Sequence, residues 1–132
     1  MIELLVVIAI IAILVAAGVV SFSTAQKKTR DTKRRSDMQD IQKAFEQWYG
    51  KNNVYPNSGS DGCTDALSSE LPGGFPKDPK NITPYTYYNT CDPTGTSYCS
   101  CALLESLTSG NSTSSSCTFG TGAAYYCVKS VQ

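Results

Sequence analysis

The 132-residue sequence contains no histidine. That absence removes the commonest zinc ligand and the side chain most often used as a general base near neutral pH. Proline is missing from the first 55 residues, and glycine from the stretch between Gly18 and Gly50. Those are the two residues that interrupt helices, at about 3 and 1 kcal/mol, so nothing there forces a break. No basic residue precedes Lys27, so no charged n-region leads the apolar start. Catalytic groupings are missing as well. The serines lie in loop-like stretches without a candidate base and the carboxylates are scattered singly, so no catalytic residue, cofactor or resident metal is expected.

What is present begins with an unbroken apolar run over residues 4–20, in which Gly18 alone is a weak helix former. Twenty residues at about 1.5 Å each cross a hydrocarbon layer of ~30 Å. Ser23-Thr24-Ala25 has the look of a cleavage site, but the run exceeds the usual h-region of about 7–15 residues, which favours a retained membrane helix. Glu3, at the lip of this run, is the anomaly. A charge costs about 2.5–3.5 kcal/mol at the centre of a membrane helix and less near its end, so it calls for a partner or a purpose. Six of the eleven cationic side chains follow between Lys27 and Arg35. This collar reads as a solvated helix face or a neighbour of lipid phosphates. The alternative, a DNA-binding patch, is disfavoured by the lack of interleaved aromatics and by the acids close by. From Lys51 onward, Asp61, Asp65, Glu70, Asp78, Asp92 and Glu105 face four lysines, a slightly acidic head.

Met38, Ile41, Ala44, Phe45 and Trp48 recur at spacings of three and four, an amphipathic stripe that must pack on something. Residues 27–36 are polar all round and need neighbours to stay helical, with an Asp31–Arg35 pair adding a few tenths of a kcal/mol, about 0.2–0.5. The pattern predicts one helix of about fifty residues, ended by Gly50 and Asn52-Asn53. Beyond it, residues 85–88, 98–103 and 124–131 are strand-like, the first two separated by Asp92-Pro93-Thr94-Gly95. Residues 67–79 should be irregular and 107–117 a Ser/Thr-rich loop. The expected fold is α+β: a long helix, apolar below and amphipathic above, laid on a small antiparallel sheet. Its parts are a membrane-length apolar helix (1–23), an amphipathic continuation (24–50) and a head (51–132).

All six cysteines lie in the head, between Cys63 and Cys127. An even number in so small a body indicates a disulfide framework and an oxidising compartment. Zinc is disfavoured, because Cys99-Ser-Cys101 leaves one residue between ligands where knuckles have two to four. Cys99 and Cys101 share one strand face about 7 Å apart, too far to bond to each other. The expected bridges are Cys63–Cys91, Cys99–Cys127 and Cys101–Cys117, and a Cys101–Cys127 bond would correct only the register.

The segment IELLVVIAIIAIL at residues 2–14 resembles the class III signal and N-terminal helix of bacterial type IV pilins and of the pseudopilins of type II secretion systems. Arg34-Arg35-Ser36-Asp37, Trp48-Tyr49 and Asn53-Val54-Tyr55-Pro56 resemble the family's helix end and its "NGxYP" turn. Leu71-Pro72, Lys77-Asp78-Pro79 and Tyr85-Thr86-Tyr87-Tyr88 are similar to the major pseudopilin's loop into its sheet. The first motif is highly specific and the later ones less so. Three departures stand out. Glu3 sits two residues earlier than the family pattern places it, which implies a start lacking two residues and the leader. Val20 stands where the family has a helix proline. Basic residues follow the span, against the positive-inside rule for an exported head, a conflict that a basic leader would resolve.

The resemblance implies a structural subunit that waits in the inner membrane and is then drawn into a helical extracellular filament serving adhesion, motility, DNA uptake or protein secretion. Glu3 would neutralise the N-terminal ammonium of a neighbouring subunit, a buried pair being far less costly than a buried lone charge. Ala9, Ala12, Ala16, Ala17 and Gly18 would supply the small residues that close helix contacts need. The implied partners are other copies of the chain, the inner membrane, a prepilin peptidase and the assembly machinery, with no specific nucleic acid. Calcium at Asp61, Asp65 or Asp78 follows from some pseudopilins, although solvated loop acids are the plainer reading. Asn81-Ile82-Thr83 and Asn111-Ser112-Thr113 fit the glycan sequon, the first weakened by Pro84, and residues 112–116 could carry O-glycans or be a plain polar loop. The alternative to a filament subunit is a membrane-anchored or secreted disulfide-rich binding domain that does not polymerise.

Overall fold

A computed structural model describes residues 1–57 and 63–132. Helix α1 runs without a break over Ile2–Asn52, and the short α2 covers Thr64–Leu67. The strands are β1 (Tyr87–Cys91), β2 (Tyr98–Leu103), β3 (Gly110–Ser112), β4 (Phe119–Ala123) and β5 (Tyr125–Lys129). They form one antiparallel sheet in the order β1-β2-β5-β3-β4. The fold is therefore the expected α+β arrangement, a long helix on one face of a small disulfide-bonded sheet.

α1 ends because Asn53 takes the left-handed conformation, φ 55°, and its N–H closes on the Tyr49 carbonyl at 2.7 Å. Asparagine tolerates this geometry better than most residues, which makes it a natural cap. Gly50 lies two residues inside the helix end and does not terminate it.

Met38, Ile41, Ala44 and Phe45 are buried against Tyr98, Ala102 and Val128 of the sheet, with Tyr55, Leu67 and Leu71 closing the sides. Trp48 is only partly buried at the edge of this cluster. The Phe45 and Tyr98 rings stack with centroids 3.8 Å apart, and Tyr55 meets Tyr98 edge-on at 5.0 Å. Large aromatic surfaces suit so small a head, where aliphatic side chains alone would bury too little area.

Two expectations need correcting. Residues 107–117 are not all loop, because Gly110–Ser112 forms β3 and pairs with both β4 and β5. Glycine, asparagine and serine are poor strand formers. The strand is held by partners outside that preference: Asn111 takes a hydrogen bond from the Cys127 N–H at 2.7 Å and gives one to its carbonyl at 2.9 Å. β3 and β4 thus extend what was expected as a three-strand meander, and β2 pairs with β5.

The second correction concerns the cystines. The bonds are Cys63–Cys91, Cys99–Cys117 and Cys101–Cys127, so the expected Cys99–Cys127 and Cys101–Cys117 pairs exchange partners. The register explains it. Cys101 lies directly opposite Cys127 across the β2/β5 ladder, with Cα atoms 4.1 Å apart, while Cys99 lies opposite Lys129. Cys99 is left to reach Cys117 in the loop, and the two bonds cover the sheet face turned away from the helix.

Candidate functional site

The first candidate is the lower half of α1. Every large apolar side chain from Met1 to Phe22 is at least half exposed, from 51% at Val7 to 102% at Met1. An 18-residue window has mean hydropathy 3.1, long and apolar enough to cross a membrane by length and composition. Exposed apolar area on this scale marks a lipid or protein contact. Glu3 is exposed in the first turn, where a carboxylate complements the positive end of the helix dipole. At about 100° per residue, Ala9, Ala12 and Ala16 fall within about 60° of one another, Ala17 lies off that stripe and Gly18 on the opposite side. The five small residues therefore do not share one face. An added Cβ at Gly18 would meet nothing within 4 Å.

The second candidate is where the head grips the helix. Asp31, Arg34 and Asp37 are buried and continue downward the stripe that Met38, Ile41, Ala44 and Phe45 begin. Arg34 is fully buried. It donates to Asp78 at 2.6 and 3.0 Å, to Asp31 at 2.7 Å and to Glu105 at 3.1 Å. Arg30 forks onto both Glu105 oxygens at 2.6 and 2.8 Å, and Lys80 meets the same carboxylate at 3.0 Å. Lys33 pairs with Asp37, which also accepts from the Tyr87 hydroxyl at 2.6 Å. Four cations and four carboxylates thus meet at the seam, with Arg30–Glu105, Arg34–Asp78 and Arg34–Glu105 crossing it, and among the described residues no buried side-chain nitrogen or oxygen lacks a partner.

The electrostatics follow from the geometry. Burial opposes charge on Arg34, but its hydrogen bonds to Asp78, Asp31 and Glu105 outweigh that and hold its pKa above the ordinary value. Arg30, with help from Lys80 and Arg34 against desolvation, holds the Glu105 carboxyl well below the usual carboxylate range. Burial, reinforced by Asp37, pushes the Tyr87 hydroxyl up, and burial beside Glu46 does the same to Tyr98.

This clamp escaped the sequence reading, which treated residues 27–36 as polar all round and paired Asp31 with Arg35. Asp31 instead pairs with Arg34 on the buried face, while Arg35, one step round the helix, donates to the Ser109 carbonyl at 2.5 Å and lies over Tyr126. The available signal was spacing: Asp31, Arg34, Met38, Ile41 and Phe45 keep the three–four rhythm across a change from charged to apolar side chains.

Other singled-out residues resolve as follows. Asp78 is neither solvated nor open to calcium, because both oxygens are taken by Arg34 and one also accepts from the Lys80 N–H at 2.8 Å. Asp61 and the Asp65 side chain lie outside the described residues. The Cys99, Cys101 and Cys117 sulfurs cluster, but as disulfides they offer no thiolate to a metal. Asn111 is occupied by Cys127, and Ser112 is fully buried, so neither is open to a glycan; Asn81 is exposed. Compared with protein families, characterised proteins and solved structures, the chain matches none.

Proposed function

We propose that this chain is a structural subunit of an extracellular filament of the type IV pilus or pseudopilus kind, held in the inner membrane before it polymerises through the lower half of α1. The observation that carries the reading is the exposure of every large apolar side chain from Met1 to Phe22 on a helix continuous with a folded head. Such a rod is covered by lipid in one state and by copies of itself in another, since both environments are equally apolar. Glu3 gains a reason in the second state, where a neighbour's terminal ammonium offers it a partner. The disulfides suit a head that works outside the reducing cytoplasm.

The test is electron cryo-microscopy of material sheared from cells that express the chain. Filaments whose density is fitted by α1 at the centre and the sheet outside are the expected result. Recovery of the chain only as a membrane-bound monomer would favour the anchored binding domain instead.

A further inference from the structure

A cleft of about 640 Å³ opens beneath the head, between α1 and the loop of residues 105–109. Thr24, Lys27, Lys28 and Thr32 line it from one helix face, and Ser106 and Ser109 from the loop. Its acids are already engaged: Asp31 accepts from the Glu105 and Ser106 N–H groups at 2.9 Å each, and Glu105 is held by Arg30 and Lys80. Its lysines are not. Of the eleven Lys and Arg residues, Lys27, Lys28 and Lys77 have no carboxylate, carbonyl or aromatic partner among the described residues, and two of the three meet in this cleft.

Position decides what these two cations face. Lys27 lies about 10 Å along the helix above Val20, the last residue of the apolar run. The headgroup layer adds about 5–8 Å per leaflet to the hydrocarbon. Helical side chains tilt toward the N-terminus, so both lysines lean down toward that layer, and their flexible stems let them snorkel the remainder. A cleft lined by hydroxyls and two unpaired ammonium groups and set at this height matches a phosphodiester anion.

The geometry points to an anionic phospholipid headgroup bound at Lys27 and Lys28 while the chain is membrane-inserted. The inference rests on the membrane-inserted state proposed above, and not on polymerisation. In that state the headgroup fixes the depth of the helix and the tilt of the head, because the same loop that closes the cleft is tied to Asp31 and Arg35.

The experiment reconstitutes the full chain into bilayer nanodiscs of mixed phosphatidylcholine and phosphatidylglycerol and counts retained lipids by native mass spectrometry. Phosphatidylglycerol should be retained in preference, by about fivefold for each lysine. Lys27→Gln with Lys28→Gln should bring the two lipids to parity, while Lys77→Gln should change nothing. Parity in the wild type, a preference that survives the double substitution, or displacement of the lipid by inorganic phosphate or duplex DNA would overturn the inference while leaving membrane insertion standing. Failure of the chain to enter nanodiscs of either composition would overturn both.

Discussion

The two halves of α1 share one backbone and differ in what surrounds them. The upper half has a seam on the head that begins with ions, Asp31 to Asp37, and continues with apolar and aromatic side chains, Met38 to Phe45. No residue of the lower half, from 1 to 29, is buried. Helix propensity is a weak force in water, and tertiary packing usually supplies most of a helix's stability. The upper half obtains that support internally. The lower half finds no such support in the head and needs a lipid or protein surround, so one continuous helix depends on two different environments. Changes at the seam should therefore alter folding, and changes below it should alter only partners.

The largest expected effect is at the centre of the seam. Arg34→Met removes the cation that satisfies Asp78, whose side chain is fully buried, and also takes the counter-charge from Asp31. Breaking a buried pair from one side costs about 3–5 kcal/mol, because the remaining charge stays desolvated. Denaturant unfolding of the full chain in detergent, followed by tyrosine fluorescence, should show this loss. Replacing Arg34 and Asp78 together by apolar residues should restore much of it. A single-variant loss below about 1 kcal/mol would mean that the clamp orders the seam without stabilising it.

The second effect lies on the far face of the sheet. Replacing Cys101 and Cys127 by serine opens a bond between directly opposed positions of β2 and β5. The expected cost is about 2–5 kcal/mol, through greater freedom of the unfolded chain and lost covering of the sheet. Non-reducing peptide mapping should recover Cys101 linked to Cys127 and Cys99 linked to Cys117. Recovery of Cys101 with Cys117 would move the register on which the β2/β5 pairing rests.

The helix, its cap and its two-layer packing were legible because they depend on local spacing: a three–four stripe of Met38, Ile41 and Phe45, and Asn53 just past the end. The cystine exchange was not, because choosing between Cys117 and Cys127 requires knowing that Cys101, rather than Cys99, stands opposite Cys127. β3 escaped because its strand character comes from Asn111 gripping Cys127, a contact between residues of low strand preference. Gly110 shows the same dependence on distant partners: an added Cβ would run into the Tyr125 and Ala123 carbonyl oxygens, a constraint absent from its neighbours in sequence. The ionic clamp was half legible, with Asp31 and Arg34 at stripe positions, but Asp78 and Glu105 approach from far along the chain.

Acid should weaken the seam by a smaller and graded amount. The Glu105 carboxyl titrates below its ordinary range in the folded head, so the unfolded chain takes up this proton first. Its contribution is complete above the unfolded value of about 4.3 and disappears as pH falls from there through the folded pKa. Melting temperature should therefore drop on going from pH 5 to pH 3, and Glu105→Gln should flatten that slope. At the other extreme Tyr87 and Tyr98 are raised, so their contribution is present below about pH 10 and is lost as pH climbs through their folded values. Ultraviolet titration should find these two hydroxyls ionising last, together with unfolding.

The smallest expected effect on the fold belongs to Glu3→Ala. Glu3 is exposed, about 40 Å along the helix from the seam at 1.5 Å per residue, and has no partner in the head. Head stability should change by less than about 0.5 kcal/mol, as for other surface changes away from special features. Membrane insertion should persist or improve, since the alanine chain no longer carries a charge into the edge of the apolar layer. If the chain polymerises as proposed, assembly should nevertheless fall sharply, because a neighbour's terminal ammonium would then be buried in the filament centre without its counter-charge. Equal filament yield from the two chains, measured by shearing and quantified against the membrane fraction, would remove Glu3 from assembly. It would also leave the apolar surface of α1 to drive polymerisation without a charge pair. A loss of filaments together with a loss of head stability would instead show that the two halves of α1 are coupled, against the separation that their surroundings imply.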